Sequence, residues 1–439
     1  MKAVVVGLGK SGYSAIRYLH SRGSRVAATD TRAEPPELQR VRALGDDIVV
    51  RTGGLDVSLL ERCEVIVVSP GVAMTGAFFD AARARGIPMI GDIELFARAV
   101  RAPVAGITGT NGKSTVTTLV ALMAQKAGLA IAAGGNLGRP ALDLLDEAAE
   151  LYVLELSSFQ LETTQSLSLA AATVLNVTPD HLDRYPDVPS YAAAKARIFN
   201  HCELAVINLD DPLVAAMRSP GQRALSFSLR ADVGADFALA HGDDNEWWLM
   251  RGDERLLPLS QMRIQGLHNA ANALASLALG EALGLPRAAC VTSLREFPGL
   301  PHRAQWVGDI RGVRYINDSK GTNVGATLAA IDGMTGPLIL IAGGEGKEQD
   351  FSPLREAVAA KVRAVVLIGR AARTIERALG GVVETRDALT MEEAVDIATE
   401  LAQPGDTVLL SPACASLDMF RDYAHRGSVF AEAVQRRSA

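Results

Sequence analysis

Long apolar runs are missing from this sequence. Nowhere do about 18 apolar residues follow one another, the length that a membrane-spanning helix requires, so membrane insertion is not expected. Cysteine is also scarce. Cys63, Cys202, Cys290 and Cys414 lie far apart and none belongs to a C-x-x-C pair, which argues against both a disulfide framework and a thiolate zinc site. Positive charge is not in excess either. A net charge of −6 gives no reason to expect nucleic acid or an anionic membrane as a partner. The start of the chain carries a single Lys2 before a short apolar run that ends in glycines, unlike a signal peptide, and a cytoplasmic location is expected.

What is present is an ordinary globular composition, 48% hydrophobic and 21% charged, spread over 439 residues. At roughly 150 residues per domain that length suggests about three. Short strands alternating with helical stretches predict an α/β fold throughout. Residues 1–93 read as a Rossmann-like unit with strands at 3–6, 25–29 and 65–69 and a helix over 11–22. Residues 94–298 read as a P-loop ATPase-like unit. Its parallel strands are expected at 104–107, 151–154, 173–177, 204–209 and 224–227, followed by a small antiparallel ribbon between Asp236 and Ile264. The Pro- and Gly-rich "FPGLPHR" then marks a boundary, and residues 299–439 read as a second Rossmann-like unit with strands at 314–317, 338–342, 364–368 and 407–411.

The first glycine cluster, Gly7-Leu8-Gly9-Lys10-Ser11-Gly12, follows a strand and opens a helix. Its spacing fits G-x-G-x-x-G, and Asp30 stands about where an acidic residue would hold the ribose of NAD. A nicotinamide oxidoreductase is therefore one reading of this end of the chain.

The second cluster is more specific. In "VAGITGTNGKSTVTTLVALM" a strand feeds a turn that ends in Gly112-Lys113-Ser114 at the start of a helix, where backbone N–H groups and the helix N-terminus can wrap phosphate oxygens. Lys113 would reach the β- and γ-phosphates and Ser114 would ligate Mg²⁺. The pattern departs from G-x-x-x-x-G-K-[ST] at Ile107, since its glycines fall at 106, 109 and 112. "GITGTNGKST" resembles the ATP loop of the Mur ligase family, cytoplasmic enzymes that add amino acids to a UDP-linked muramoyl precursor, and the remaining motifs follow in that family's order.

Taken alone, several residues have ordinary explanations. Glu155 ends a strand in "LYVLELSSFQ" and reads as a solvated end-of-strand acid; His181, between Asp180 and Asp183 in "TPDHLDRY", is a loop histidine; Lys195 shares a helix face with Tyr191 and Phe199 and can snorkel to solvent. Ser190 is expected to cap that helix, and Asn269 in "GLHNAANALAS" to cap another. The resemblance implies more. It assigns Glu155 and His181 to two Mg²⁺ ions, makes Lys195 the carrier of a carbamate that helps hold the second, and places ATP on Gly109, Thr110, Asn111, Gly112, Lys113, Ser114 and Thr115. Asn269 would hold the adenine, with Arg303 and Asp318 on the phosphate and ribose.

By the same resemblance the first glycine loop serves a UDP-sugar rather than NAD. Lys10 and Ser11 would face the diphosphate, with Asp30, Thr31, Arg32 and Gly71 at the uridine end and Asn136 and His181 toward the sugar-peptide end. Lys320, Thr322, Lys347, Ser416 and Tyr423, beyond three separate strands, resemble the pocket of the D-glutamate-adding members. Met419 and Tyr423 depart mildly from those members, which usually carry Gln and Phe. The implied substrates are UDP-MurNAc-L-alanine, D-glutamate and ATP, with a monomer expected. Other Mur or folylpolyglutamate-type ligases and a P-loop motor remain alternatives at this point.

Overall fold

The structure, a computed structural model, describes residues 2–438 apart from residues 137, 147, 265 and 335. Three sheets follow one another along the chain. The first contains β1 (Lys2–Val6), β2 (Arg25–Asp30), β3 (Val49–Thr52), β4 (Val65–Val68) and β5 (Met89–Ile90), all parallel, in the order β3-β2-β1-β4-β5. The order reverses beside β1, so the loops after β1, β2 and β4 open onto one crevice at the carboxyl edge. Apolar residues of β1 and β4 are buried on both faces, as parallel strands covered by helices must be.

The second sheet has nine strands. They are β6 (Val104–Thr108), β7 (Ile131–Gly135), β8 (Leu151–Glu155), β9 (Leu169–Val174), β10 (Cys202–Asn208), β11 (Ala224–Ser228), β12 (Phe237–His241), β13 (Trp247–Arg251) and β14 (Glu254–Pro258). The order is β14-β13-β12-β11-β10-β9-β6-β8-β7. The antiparallel ribbon expected near its end is thus no separate piece. β12 pairs parallel with β11 and antiparallel with β13, which carries the ribbon into the main sheet. The strand expected at 173–177 is Leu169–Val174 instead, because the residues after Val174 leave the ladder to pack their backbone against the phosphate loop.

The third sheet runs β15-β16-β20-β17-β18-β19, from β15 (Gln305–Ile310), β16 (Val313–Asn317), β17 (Leu338–Gly343), β18 (Val362–Ile368), β19 (Glu384–Asp387) and β20 (Thr407–Leu410). It is parallel except for β15, an antiparallel edge strand that the sequence pattern does not reveal. Among the described residues no helix is long and apolar enough to cross a membrane.

The first two units share one apolar core, in which Ala3, Ile16 and Ile90 belong to the same cluster as Phe96, Tyr152, Leu154 and Tyr191. The third sheet has a core of its own on each face. Close packing also governs the first glycine loop. A Cβ at Gly12 would lie 1.8 Å from the carbonyl oxygen of Gly7. Gly12→Ala is therefore expected to destabilise the protein by about 2 kcal/mol or more in urea unfolding, the range of an overpacked core, whereas Gly9→Ala, whose Cβ meets open space, stays near the wild-type midpoint.

Candidate active site

The phosphate loop joins β6 to the helix Lys113–Lys126, and its glycine spacing follows from its geometry. Ile107 is fully buried and still within β6, so the turn cannot begin there. It begins after Thr108. Gly109 at φ 144° and Gly112 at φ 84° adopt backbone conformations that favour glycine, and a Cβ on Gly112 would press 2.4 Å from Asn272 Oδ1. Asn176 braces the turn from the loop after β9, its carbonyl accepting from Thr110 N–H and its Oδ1 from Asn111 N–H. The N–H groups of the first helical turn have no intrahelical acceptor and are available for an anion. Lys113 Nζ lies folded onto the loop, donating to the carbonyls of Gly109 and Thr110 at 2.8 Å each.

Glu155 ends β8, which pairs with β6, and is buried rather than solvated. One carboxylate oxygen accepts from Ser114 Oγ and the other from Asn136 Nδ2, each at 2.6 Å. Arg303, from beyond the central unit, donates to the same Ser114 hydroxyl. His181 is held at φ 55° with its ring edge-on to Phe159 at 4.9 Å. Burial lowers its pKa against the pull of Asp180, which favours the neutral imidazole.

Lys195 is the most unusual side chain of the site. Only 1% of it meets solvent, its ammonium donates to Gly109 O at 2.9 Å, and it sits 4.3 Å from the centre of the Tyr191 ring. Burial first, and then the charge of Lys113, drive its pKa well below that of an ordinary lysine. The snorkelling alternative is therefore excluded. Its helix, Val188–Ala196, is capped by Asp187, whose carboxylate accepts from Ser190 N–H; Ser190 itself is not the cap. Asn269 is likewise not a cap, since Gly266 precedes the helix Leu267–Ala282 and Asn269 lies within its first turn, buried against Asn272.

Three cavities meet here. A reaction cavity of about 260 Å³ is lined by Lys113, Ser114, Glu155, His181 and Lys195 and, from the third unit, by Lys320, Thr322 and Lys347. Asn111, Gly112, Arg303 and Lys320 line both this cavity and a second one, where Thr115, Asn269 and Asp318 lie. Asn136 lines both the reaction cavity and a third of about 820 Å³, with Lys10, Ser11, Asp30, Thr31, Arg32 and Gly71. Asp30 is fully engaged there: its carboxylate accepts from Leu8 N–H, Arg32 N–H and the Arg32 guanidinium at 2.7 to 3.0 Å.

Two expected residues stand apart. Ser416 is buried and lines none of these cavities. Tyr423 offers its ring, not its hydroxyl, with Lys320 Nζ 4.0 Å from the ring centre. Three contributors were not legible as such in the sequence. Asp180 accepts from Lys347 Nζ at 3.3 Å and from Asn323 Nδ2 at 3.1 Å, tying the second unit to the third. Asn323 also caps the helix Val324–Gly333, and an Asn ahead of a helical run is the one sequence signal that points to it. The fully buried Arg426 donates to Ser319 and to the carbonyls of Cys414 and Ala415, pinning the two loops that carry Lys320 and Ser416.

Family models match along the chain: "Mur ligase MurD-like, N-terminal domain" over residues 1–91, "Mur ligase middle domain" over 107–280 and "Mur ligase, glutamate ligase domain" over 302–414. A protein from Nitrosococcus oceani named UDP-N-acetylmuramoylalanine--D-glutamate ligase is 53% identical over 436 residues, covering 99% of this chain and 96% of that one. This chain belongs to the Mur ligase family. A protein of the same name from Methylococcus capsulatus is 52% identical over 434 residues, covering 99% of this Mur ligase and 94% of its relative. Among solved structures, the fold is similar to a pseudomurein peptide ligase type C from Methanothermus fervidus, with a TM-score of 0.65 at 17% identity and 99% of each chain covered. It is similar also to the UDP-N-acetylmuramate-alanine ligase of Thermotoga maritima, with a TM-score of 0.64 at 19% identity and 99% of each covered. Like its family, this Mur ligase is an ATP-dependent enzyme, and the ligases it matches along its length leave no place for a dehydrogenase or a P-loop motor.

Asp318 carries a pH signature. Burial raises its carboxyl to about 6, against hydrogen bonds from Ser411 and Ala304 N–H that lower it. A carboxyl with a raised folded-state pKa contributes stability that is complete below its unfolded value near 3.8 and is lost as pH rises through about 6. Between pH 4 and 7 the ligand-free protein should lose on the order of 2 kcal/mol relative to Asp318→Asn, read by chemical unfolding at each pH. Parallel pH profiles for the two proteins would refute it.

Proposed function

We propose that this ligase joins D-glutamate to UDP-MurNAc-L-alanine with hydrolysis of ATP to ADP and phosphate, as a monomer in the cytoplasmic synthesis of peptidoglycan precursors. The observation that carries the reading is that the reaction cavity, with Lys113 and Glu155 in its wall, opens to the second cavity at Asn111, Gly112, Arg303 and Lys320 and to the third at Asn136. A nucleotide held by the first glycine loop extends past Asn136 toward Glu155, ATP extends from Asn269 and Asp318 past Arg303 toward Lys113, and the lysines of the third unit lie across from both. No residue of a second copy is needed to complete this junction.

The donor set suits Mg²⁺. Ser114 Oγ and Glu155 supply hard oxygen ligands, and among the described residues no three His, Cys, Asp or Glu side chains form a metal cage, which fits an ion that keeps water and phosphate as its other ligands. His181 and a carbamylated Lys195 fit a second position. Mg²⁺ supplies neutralisation of charge on the transferring phosphoryl group. The chain supplies the rest. Lys113 leaves the loop carbonyls for the β- and γ-phosphates, and Arg303 adds a second cation from the opposite side. The muramoyl-alanine carboxylate attacks the γ-phosphorus and ADP departs, giving an acyl phosphate. The D-glutamate amine then attacks the carbonyl carbon, phosphate leaves, and the amine proton passes to solvent. Lys320 and Lys347 hold the two carboxylates of D-glutamate, with Thr322 beside them.

Carbamylation needs the neutral amine as nucleophile toward CO₂, with loss of one proton to water. Burial of Lys195 away from solvent favours that form, and its one hydrogen bond, to Gly109 O, leaves the nitrogen without an ion pair among the described residues.

In a panel of amino acids with ATP, Mg²⁺ and UDP-MurNAc-L-alanine, phosphate release should depend on D-glutamate. Release that ignores D-glutamate, or that another amino acid supports equally, would defeat the assignment. Lys195→Ala is expected to lose at least about a hundredfold in kcat, on the scale of removing one electrostatic contributor to a phosphoryl transfer, and millimolar acetate should restore part of it. Failure of acetate and formate alike would count against the carbamate.

A further inference from the structure

One buried carboxyl takes no part in this chemistry. Asp92 opens the helix Asp92–Ala97, between the first two units, and only 2% of it is exposed. Its Oδ2 accepts a 3.4 Å hydrogen bond from Gln160 Nε2. Its Oδ1 has no hydrogen-bond partner among the described residues, although the Ser11 hydroxyl and Ile93 N–H approach the carboxyl. Burial pushes its pKa up. A half-satisfied buried carboxyl weakens a fold, and an apolar residue of similar size would serve packing better.

Its two neighbours are not packing residues. Ser11, at the start of the helix Lys10–Ser21, and Gln160, from the helix Ser158–Glu162, both line the 820 Å³ cavity of the first glycine loop. Gln160 is fixed at its other end as well. Its Oε1 accepts from Ser157 N–H at 3.1 Å and from the Ser157 hydroxyl at 3.2 Å, closing a capping box, and Ser157 lines the reaction cavity. The amide therefore has its oxygen toward Ser157 and its nitrogen toward Asp92.

We propose that Asp92 is a positioning residue for the UDP-nucleotide, holding the Ser11 hydroxyl and the Gln160 amide in place for the diphosphate and sugar. The proposal rests on the reading of that cavity as the nucleotide site. When Oδ1 carries the proton it donates to Ser11 Oγ, which frees the Ser11 hydrogen for a phosphate oxygen, while Oδ2 continues to accept from Gln160. Asparagine can do the same, with Nδ2 donating and Oδ1 accepting. Leucine, of similar size, can do neither.

The test compares Asp92→Leu and Asp92→Asn in the full-length enzyme, by the KM of each substrate and by melting temperature. Leucine should raise the KM for UDP-MurNAc-L-alanine about tenfold, leave kcat and the KM values for ATP and D-glutamate within about twofold, and keep or raise the melting temperature. Asparagine should stay within about threefold of the unaltered enzyme. With Ser11→Ala added, the leucine variant should lose less than the product of the two single effects. An unchanged nucleotide KM overturns the proposal, and so does an equal rise in all three KM values with a lower melting temperature. If the leucine variant fails to fold, Asp92→Ser, too short to reach either partner, gives the same reading. Calorimetry with UDP-MurNAc-L-alanine separates the two layers: no binding by the unaltered protein removes the cavity's assignment and the proposal with it, whereas binding that the leucine variant matches removes the role of Asp92 alone.

Discussion

Concentration of positive charge in a small, partly dry space is the constraint on which this structure turns. Lys113, Lys320, Lys347 and Arg303 line one reaction cavity together with Lys195, and the carboxylates facing them are those of Glu155 and Asp180. Burial and the neighbouring cations Arg303 and Lys113 bring Lys320 down to about 8. In low dielectric such repulsion is large, and it is relieved by anions. A triphosphate, an acyl phosphate and a dicarboxylate are all ligands of that kind, so the same charge that selects them makes the assembled cavity costly without them.

The way the units are joined distributes this strain unevenly. The first two share an apolar core, reinforced by Asp143, whose carboxylate accepts from the Ser14 hydroxyl and the Arg17 guanidinium. Near the reaction cavity the second and third units meet through polar contacts: Arg303 with Ser114, Asn323 with Asn111 and Asp180, and Lys347 with Asp180. Apolar packing is indifferent to ligand charge, while ion pairs and hydrogen bonds to charged groups are not. Charge relief by anionic ligands therefore acts on the seam between the second and third units more than on the apolar junction of the first two.

The sequence carries the parts of this architecture that depend on local chemistry. Strands announce themselves through runs such as Val4–Val6 and Leu338–Ala342, and the phosphate loop through Gly109 and Gly112, which occupy backbone conformations that favour glycine. What the sequence does not carry is contact across distance. Asp180 looks like a loop acid until Lys347, far along the chain, is seen beside it. Lys195 is indistinguishable from a surface lysine until the whole sheet is closed over it. The edge strand β15 and the two displaced helix caps were hidden for a different reason, since short elements and their first residues are decided by neighbours more than by propensity.

The first glycine loop shows where a motif stops being informative. Strand, tight turn and helix N-terminus stand as the spacing predicts, and they select a phosphate irrespective of the nucleoside beyond it. The residue that would distinguish NAD is Asp30, whose carboxylate must accept from ribose hydroxyls. Here Oδ1 accepts from Arg32 N–H and Nε, and Oδ2 from Leu8 N–H and Arg32 Nη2. Four donors from its own chain fill the about four acceptor directions a carboxylate has. Asp30 thus braces the glycine loop against Arg32 at the wall of the cavity. A dinucleotide reading fails at that residue for a reason of hydrogen-bond capacity, which spacing in the sequence cannot express.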